Sequence, residues 1–363
     1  MAEQSVFRLY SSCRFVRGGA FSAIYDLTRR LLFRFPASFN AVFERCENEG
    51  LDLQGLGQIS DLARDEVVSA LDFLRERELG RFYDAVSAAT LAPLRERWDA
   101  PYGLLSAIVD VDYKIPDWSA VLGALDRQSC RALQVRCFSD RMKPEQVELA
   151  LRHLRDSGIL RVEFLVNWSE PWNGDAWLGL FEAYRNLHVI RIFAAPEDKV
   201  QPMVQPALRG RVARFETRLL TGPDDCGSIM PQSLAMPSTG LFSELKQFNG
   251  CLNRKLSIRS NGQICNCPAM ARSFGDDLGK LDEIIASADF RAPWTIRKDE
   301  IEVCSGCEFR YVCTDCRAHL GDDLSRSKPA RCGYDPVTGQ WAESASSALE
   351  LRRAHVGFEV ADV

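Results

Sequence analysis

Along residues 142–158, MKPEQVELALRHLRDSG, apolar side chains recur with the spacing of one helical face and a glycine closes the run, which predicts an amphipathic helix. The flanking runs ALQVRCF (132–138) and RVEFLVNW (161–168) are short and apolar and predict buried strands. The same alternation continues from LLSAIVDVDY (104–113) through WLGLFEAYRNL (177–187) to HVIRIFAA (188–195), giving three or four strand–helix units, with RFETRLL (214–220) as a further strand. Such alternation implies a parallel sheet with crossover helices, and the units are too few for a closed eight-stranded barrel. The expected fold class is therefore α/β, with a partial, open (β/α) barrel over 101–240.

The pattern before it differs. In FVRGGAFSAIYDLTRRLLFRF, Gly18-Gly19 and Asp26 to Arg30 separate apolar runs, predicting short antiparallel strands. Pro36 opens a helix carrying Phe39, Val42, Phe43 and Cys46 on one face. A second helix is predicted from a Ser60 cap through Leu62, Val67, Leu71 and Leu74 to a stop at Gly80. Strands and helices in this order suggest a winged-helix unit over 1–94, and RERWDAP (95–101) reads as a linker.

Composition adds the compartment. The 363 residues are 46% hydrophobic and 26% charged, as in ordinary globular chains, with a net charge of -5 that gives no general attraction to nucleic acid. No membrane-spanning run or secretory h-region is evident, so no membrane association and a cytoplasmic location are expected. In a reducing compartment the 13 cysteines are thiols, nucleophiles or metal ligands. Cys13, Cys46, Cys130, Cys137 and Cys226 lie singly and read as buried small hydrophobes.

The other eight crowd together. Cys251, Cys265 and Cys267 surround a predicted hairpin turning at Asn261-Gly262, which brings distant thiols to one side. Cys304 and Cys307 form one CxxC, Cys313 and Cys316 a second, and Cys332 follows. Eight thiolates suffice for two four-coordinate sites, and spacing alone leaves zinc and iron–sulfur clusters equally open.

The series Cys251-x10-Gly262-x4-Cys267, Cys304-x2-Cys307-x5-Cys313-x2-Cys316 and Cys332 resembles the SPASM domain of peptide-modifying radical SAM enzymes. CEFRYVCTDCRA is similar to its form in the "grasp-with-spasm" peptide maturases, as are VRGGAFSAIYDL, FPASFNAVF and FLRERELG near the N-terminus. The resemblance implies a SPASM domain over 241–340, followed by a C-terminal tail, 341–363. It also implies two [4Fe-4S] clusters: Cys304, Cys307, Cys313 and Cys332 on the second, Cys251, Cys267 and Cys316 on the first. The pattern leaves the first cluster's fourth ligand unspecified, and Cys265 is the expected donor. The gap before Cys316 is one residue shorter than in the family.

The implied partners are a precursor peptide, captured by strand addition on the sheet around Ala23 to Arg34 and helix 61–79, and an ATP-grasp ligase. The barrel, by the same resemblance, is of radical SAM type. The CxxxCxxC triplet that binds S-adenosylmethionine in those enzymes is absent, so its reductive cleavage is not expected and the chain reads as a catalytically degenerate partner. WSEP (168–171) keeps only Glu170 and the proline of the family's GGEP, and Glu170 reads as a loop residue. His153, His188 and His355 sit in no ligand spacing, whereas His319 follows Cys316 closely enough to ligate. Arg310 and its aromatic neighbours between the CxxC pairs read as packing around the thiols. Two other functions remain open at this point: a redox or Lewis-acid peptide-modifying enzyme with an open iron position, and a zinc-stapled interaction protein.

Overall fold

In the computed structural model, residues 5–58, 60–112, 116–173, 175–322, 324–342 and 358–360 are described. The N-terminal runs form β1 (Ser5–Leu9), β2 (Cys13–Val16), β3 (Phe21–Asp26) and β4 (Leu31–Pro36), followed by α1 (Asn40–Asn48), α2 (Arg64–Glu76) and β5 (Gly80–Asp84). Strands β2, β3 and β4 make an antiparallel meander in which Tyr25 pairs with Arg14 on one side and Leu32 on the other. A separate ribbon pairs β1 with β5. Period-two alternation sends Ile24, Phe33 and Phe35 toward the helices, where they pack with Phe43, Val67 and Leu71. Their neighbours Ala23, Tyr25 and Leu32 pack on the opposite face against Phe242, Phe309 and Tyr311 of the cysteine-rich region. The sheet is thus buried on both faces, and Tyr25 lies on its central strand rather than at an edge.

Two local expectations shift. Helix α2 begins after Ala63, whose N–H donates to Glu66 Oε2 at 2.9 Å, while Ser60 instead accepts from Leu62 N at 3.1 Å. Gly80 opens β5 opposite Leu9, where a Cβ would lie 2.5 Å from the Arg8 carbonyl oxygen. Close backbone approach, as well as helix termination, requires the glycine.

A one-turn helix, α3 (Ala85–Ala89), precedes an irregular stretch that leads into the central layer. There β6 (Ser106–Val111), α4 (Trp118–Arg127), β7 (Ala132–Cys137), α5 (Pro144–Leu154), β8 (Arg161–Asn167), α6 (Ala176–Ala183) and β9 (Leu187–Phe193) alternate. After them come β10 (Lys199–Pro202), β11 (Val212–Glu216), α7 (Thr239–Leu245), β12 (Lys255–Ile258) and β13 (Ile264–Cys265). Among the described residues these strands form one eight-stranded sheet of order β10-β11-β9-β8-β7-β6-β12-β13. It is parallel from β11 through β12, with antiparallel β10 and β13 at its open edges. The protein is a mixed α/β chain in which the hairpin predicted at Asn261-Gly262 joins the main sheet.

One face of this sheet is apolar. Val109, Val135, Phe164 and Ile190 pack with Val121, Leu125 and Leu151 of the helices. The alternate positions carry paired polar groups: Arg136 binds Asp110 at 2.7 and 2.9 Å, Gln134 donates to Glu163 at 2.8 Å, and Arg191 donates to Glu216 at 2.8 Å. Parallel strands are usually apolar on both faces. This second face therefore suits a lined cavity better than a packed core.

The last elements are α8 (Leu281–Ala286), α9 (Ala288–Arg291), a small hairpin of β14 (Tyr334–Asp335) with β15 (Gln340–Trp341), and β16 (Phe358–Val360). Strand β16 pairs parallel to β4 and extends the N-terminal sheet to four strands. No helix among the described residues is long and apolar enough to cross a membrane.

Candidate metal centre

Asn249 organises the first thiols. It follows α7, is buried, and its side-chain oxygen accepts from the N–H groups of Cys251 and Leu252, each at 2.9 Å. Its amide nitrogen donates to Asp315 Oδ2 at 2.7 Å and to the Ile296 carbonyl at 3.2 Å. Asp315, between Cys313 and Cys316, also pairs with Arg317 at 2.6 Å and Lys298 at 3.4 Å. One buried carboxylate thereby ties the Cys251 turn to the second CxxC.

Lys255 extends from β12 with its ammonium 3.3 Å from Cys251 Sγ. Burial acts to lower its pKa, but the thiols of Cys251, Cys267 and Cys226 outweigh that and hold it above the ordinary value. Burial, followed by the charge of Cys251, pushes Cys267 up to about 12. Cys316 is pushed up to about 11, by burial first and then by Cys251 and Cys226 among other groups. Cys251, Cys267, Cys316 and Cys226 are therefore electrostatic neighbours.

Cys226 was not expected there. Cys13, Cys46, Cys130 and Cys137 are buried, as isolated cysteines should be, but Cys226 is exposed. Its segment is stitched to the one holding Cys332: Arg331 donates to the Cys226 carbonyl at 2.9 Å, and Ile229 N donates to the Arg331 carbonyl at 2.9 Å. The following Gly227 has φ +97°, and a Cβ there would stand 2.7 Å from Cys316 Sγ. Only glycine permits both that conformation and that approach. Cys265, the expected fourth donor, lies apart. Its Sγ faces the Ser257 carbonyl at 3.6 Å, and burial followed by Arg259, Asp110 and Arg136 governs its thiol.

The second set is Cys304, Cys307, Cys313 and Cys332, grouped around buried Lys298. Burial acts to lower the Lys298 pKa, and Cys313, Asp315 and Cys304 hold it up. Cys304 is pushed up to about 11 by burial against the pull of Lys298. Cys307 is raised well above the ordinary range, by burial first and then by Glu308 and Cys313. Cys332 is raised by burial, with Cys313 adding to it. Bare thiols in such settings stay protonated, whereas a coordinated metal ion would deprotonate them.

As they stand, no three His, Cys, Asp or Glu side chains among the described residues are arranged to hold a metal ion. The thiols are grouped but not closed.

The cysteine-rich segment around Cys307 is anchored to the N-terminal sheet. Glu308, fully buried between Cys307 and Cys313, accepts from Arg34 Nε at 3.0 Å and Nη2 at 2.7 Å, and from the Tyr334 hydroxyl. Tyr25 donates to the Glu308 carbonyl at 2.5 Å, and Gly19 N to the Gly306 carbonyl at 2.9 Å. Arg310 is occupied internally, donating to the Arg17 and Cys307 carbonyls and standing 3.2 Å from Asp299. Phe309 packs on Tyr334 and Trp341, and Tyr311 on Phe242.

His319 was the histidine singled out, and its ring lies beside Gly227. His188 bonds the Asn186 carbonyl, His153 is exposed, and His355 lies outside the described residues. Glu170 sits exposed in a single 3-10 turn after β8. Cys130 precedes β7 and Cys137 ends it, both buried, and the stretch just beyond residue 118, where the cluster-binding triplet of the resembled enzymes would lie, contains no cysteine before Cys130. Compared with known proteins, the chain matches no family model, and no curated protein is significantly similar to it.

Proposed function

We propose that the chain is an iron–sulfur-binding component of ribosomal peptide maturation, related in design to SPASM proteins, that captures a precursor peptide and acts with an ATP-grasp ligase. The observation that carries this reading is the sorting of eight thiols into two sets of four, each with its own lysine ammonium. Paired ammoniums suit two anionic thiolate-bound centres, and the donors are of the kind both cubane clusters and zinc accept. On this reading Cys304, Cys307, Cys313 and Cys332 would hold the second cluster, and Cys251, Cys267, Cys316 and Cys226 the first, with Cys226 replacing Cys265. When bound, the clusters would supply structural cross-linking and a one-electron redox centre.

The N-terminal unit is the proposed peptide receptor, of winged-helix type. Strand β4 receives one additional strand, residues 358–360, along its outer edge, so a precursor added there as a strand would take the place of that segment. The parallel sheet is the proposed remnant of a radical SAM barrel, kept as a scaffold without cleavage of S-adenosylmethionine. Its polar face carries the Arg136–Asp110 pair, and among the described residues no CxxxCxxC triplet lies beside it.

Cysteine substitutions test the assignment. In anaerobically purified protein, Cys251→Ala and Cys304→Ala are each expected to retain about four of eight irons, and Cys265→Ala all of them. Loss of half the iron in Cys265→Ala would return that residue to the first site.

A further inference from the structure

Resting on the metal-centre reading above, we infer that the first site carries five donors for four positions, with the exposed Cys226 thiolate and the His319 imidazole as interchangeable ligands. Three observations lead there. His319 Nε2 is buried and has no hydrogen-bond partner, although its side chain is only 17% exposed. A buried ring nitrogen without a partner is costly unless something binds it. Its other nitrogen, Nδ1, faces the Asp224 carboxylate at 3.7 Å. That spacing is longer than a hydrogen bond, and the unpartnered Nε2 is the ring atom available to a ligand.

The second observation is where Nε2 lies. A Cβ at Gly227 would be 3.6 Å from His319 Nε2 and 2.7 Å from Cys316 Sγ, so imidazole and thiol converge on the space left by one missing side chain. His319 itself adopts φ +67°, which holds the ring in this place. The third concerns Cys226, whose residue precedes Gly227 and borders a cavity of about 300 Å³ shared with Lys255, Gln134, Glu163 and His188. Of the four thiols it is the exposed one. It is therefore the donor that solvent or a peptide side chain in the cavity can displace, and His319 is positioned to close the gap. With a cluster bound, replacing thiolate by imidazole would remove one negative charge and would raise its reduction potential.

Epistasis tests the exchange in the full chain, purified without oxygen. Wild type, Cys226→Ala and His319→Ala are each expected to hold about eight irons, and the double variant about four. After dithionite reduction, pulsed EPR of Cys226→Ala should show the ¹⁴N coupling of a bound imidazole, and Cys226→Ala/His319→Cys should keep the iron and lose that coupling. If Cys226→Ala alone falls to about four irons, or if the double variant keeps all eight, the exchange is wrong while the metal-centre reading stands. Wild type holding zinc without sulfide would overturn the iron reading, and the same series read by zinc content would then decide the exchange. Wild type free of iron, sulfide and zinc would overturn both.

Discussion

Arg34→Ala is expected to destabilise the protein by about 3–5 kcal/mol, because it leaves the buried Glu308 carboxylate without its cation. The Arg34 guanidinium donates twice to Glu308 Oε1 and once to the Tyr334 hydroxyl, and lies over the Phe21 ring with 4.1 Å to its centre. With Arg34 gone, the Glu308 carboxylate keeps neutral donors such as the Tyr334 hydroxyl but loses its cation, and burial already pushes it above the usual carboxylate range. Hydrophobic replacement of both charges removes the desolvation cost along with the attraction, so Arg34→Met/Glu308→Leu should recover most of the loss. Urea midpoints of the wild type and both variants measure this. Equal midpoints for wild type and Arg34→Ala would mean that the N-terminal sheet and the cysteine-rich region are not coupled through this pair.

Cys307→Ser carries the second large effect. Metal binding energy is folding energy where the ligands are scattered along loops, and among the described residues the secondary structure around the second set is limited to short 3-10 turns and a two-residue-strand hairpin. Loss of one thiolate from the second set should lower stability by several kcal/mol, on the order of 3 or more. Cys130→Ala serves as the control, since that thiol is buried outside both sets and its loss should cost about 1 kcal/mol. Thermal melting by circular dichroism compares the two. A Cys307→Ser melt no lower than the control's would remove the reason to place a metal at the second set.

The strands and helices of the central layer were legible because each presents one apolar face with a regular period. Helix α5 and strands β7 and β8 appear where Val147, Val135 and Phe164 required them. The pairing of β12 beside β6 was not legible, since periodicity shows a strand's existence but not its neighbour. Nor was the burial of the N-terminal sheet on both faces. Its second face is covered by Phe242, Phe309 and Tyr311, residues remote in sequence, and an apolar strand looks the same whether one neighbour or two will cover it.

The candidate thiol sets divide in the same way. Two CxxC pairs announce themselves by local spacing, but Cys226 is single, exposed and 25 positions before Cys251. Its one local signal is the glycine that follows, which takes on meaning only once Cys316 is seen against it. Cys265 is the opposite case. It shares the motif CNC with Cys267, yet its thiol is turned toward Ser257 in the strand pair.

Iron, sulfide and zinc content of anaerobically purified wild-type protein decides whether the two thiol sets hold two iron–sulfur clusters. About eight irons and eight sulfides per chain are expected, with broad visible absorption from sulfur-to-iron charge transfer. About two zincs without sulfide would contradict the iron–sulfur assignment and make the sets structural staples. Absence of all three would contradict the metal centre itself.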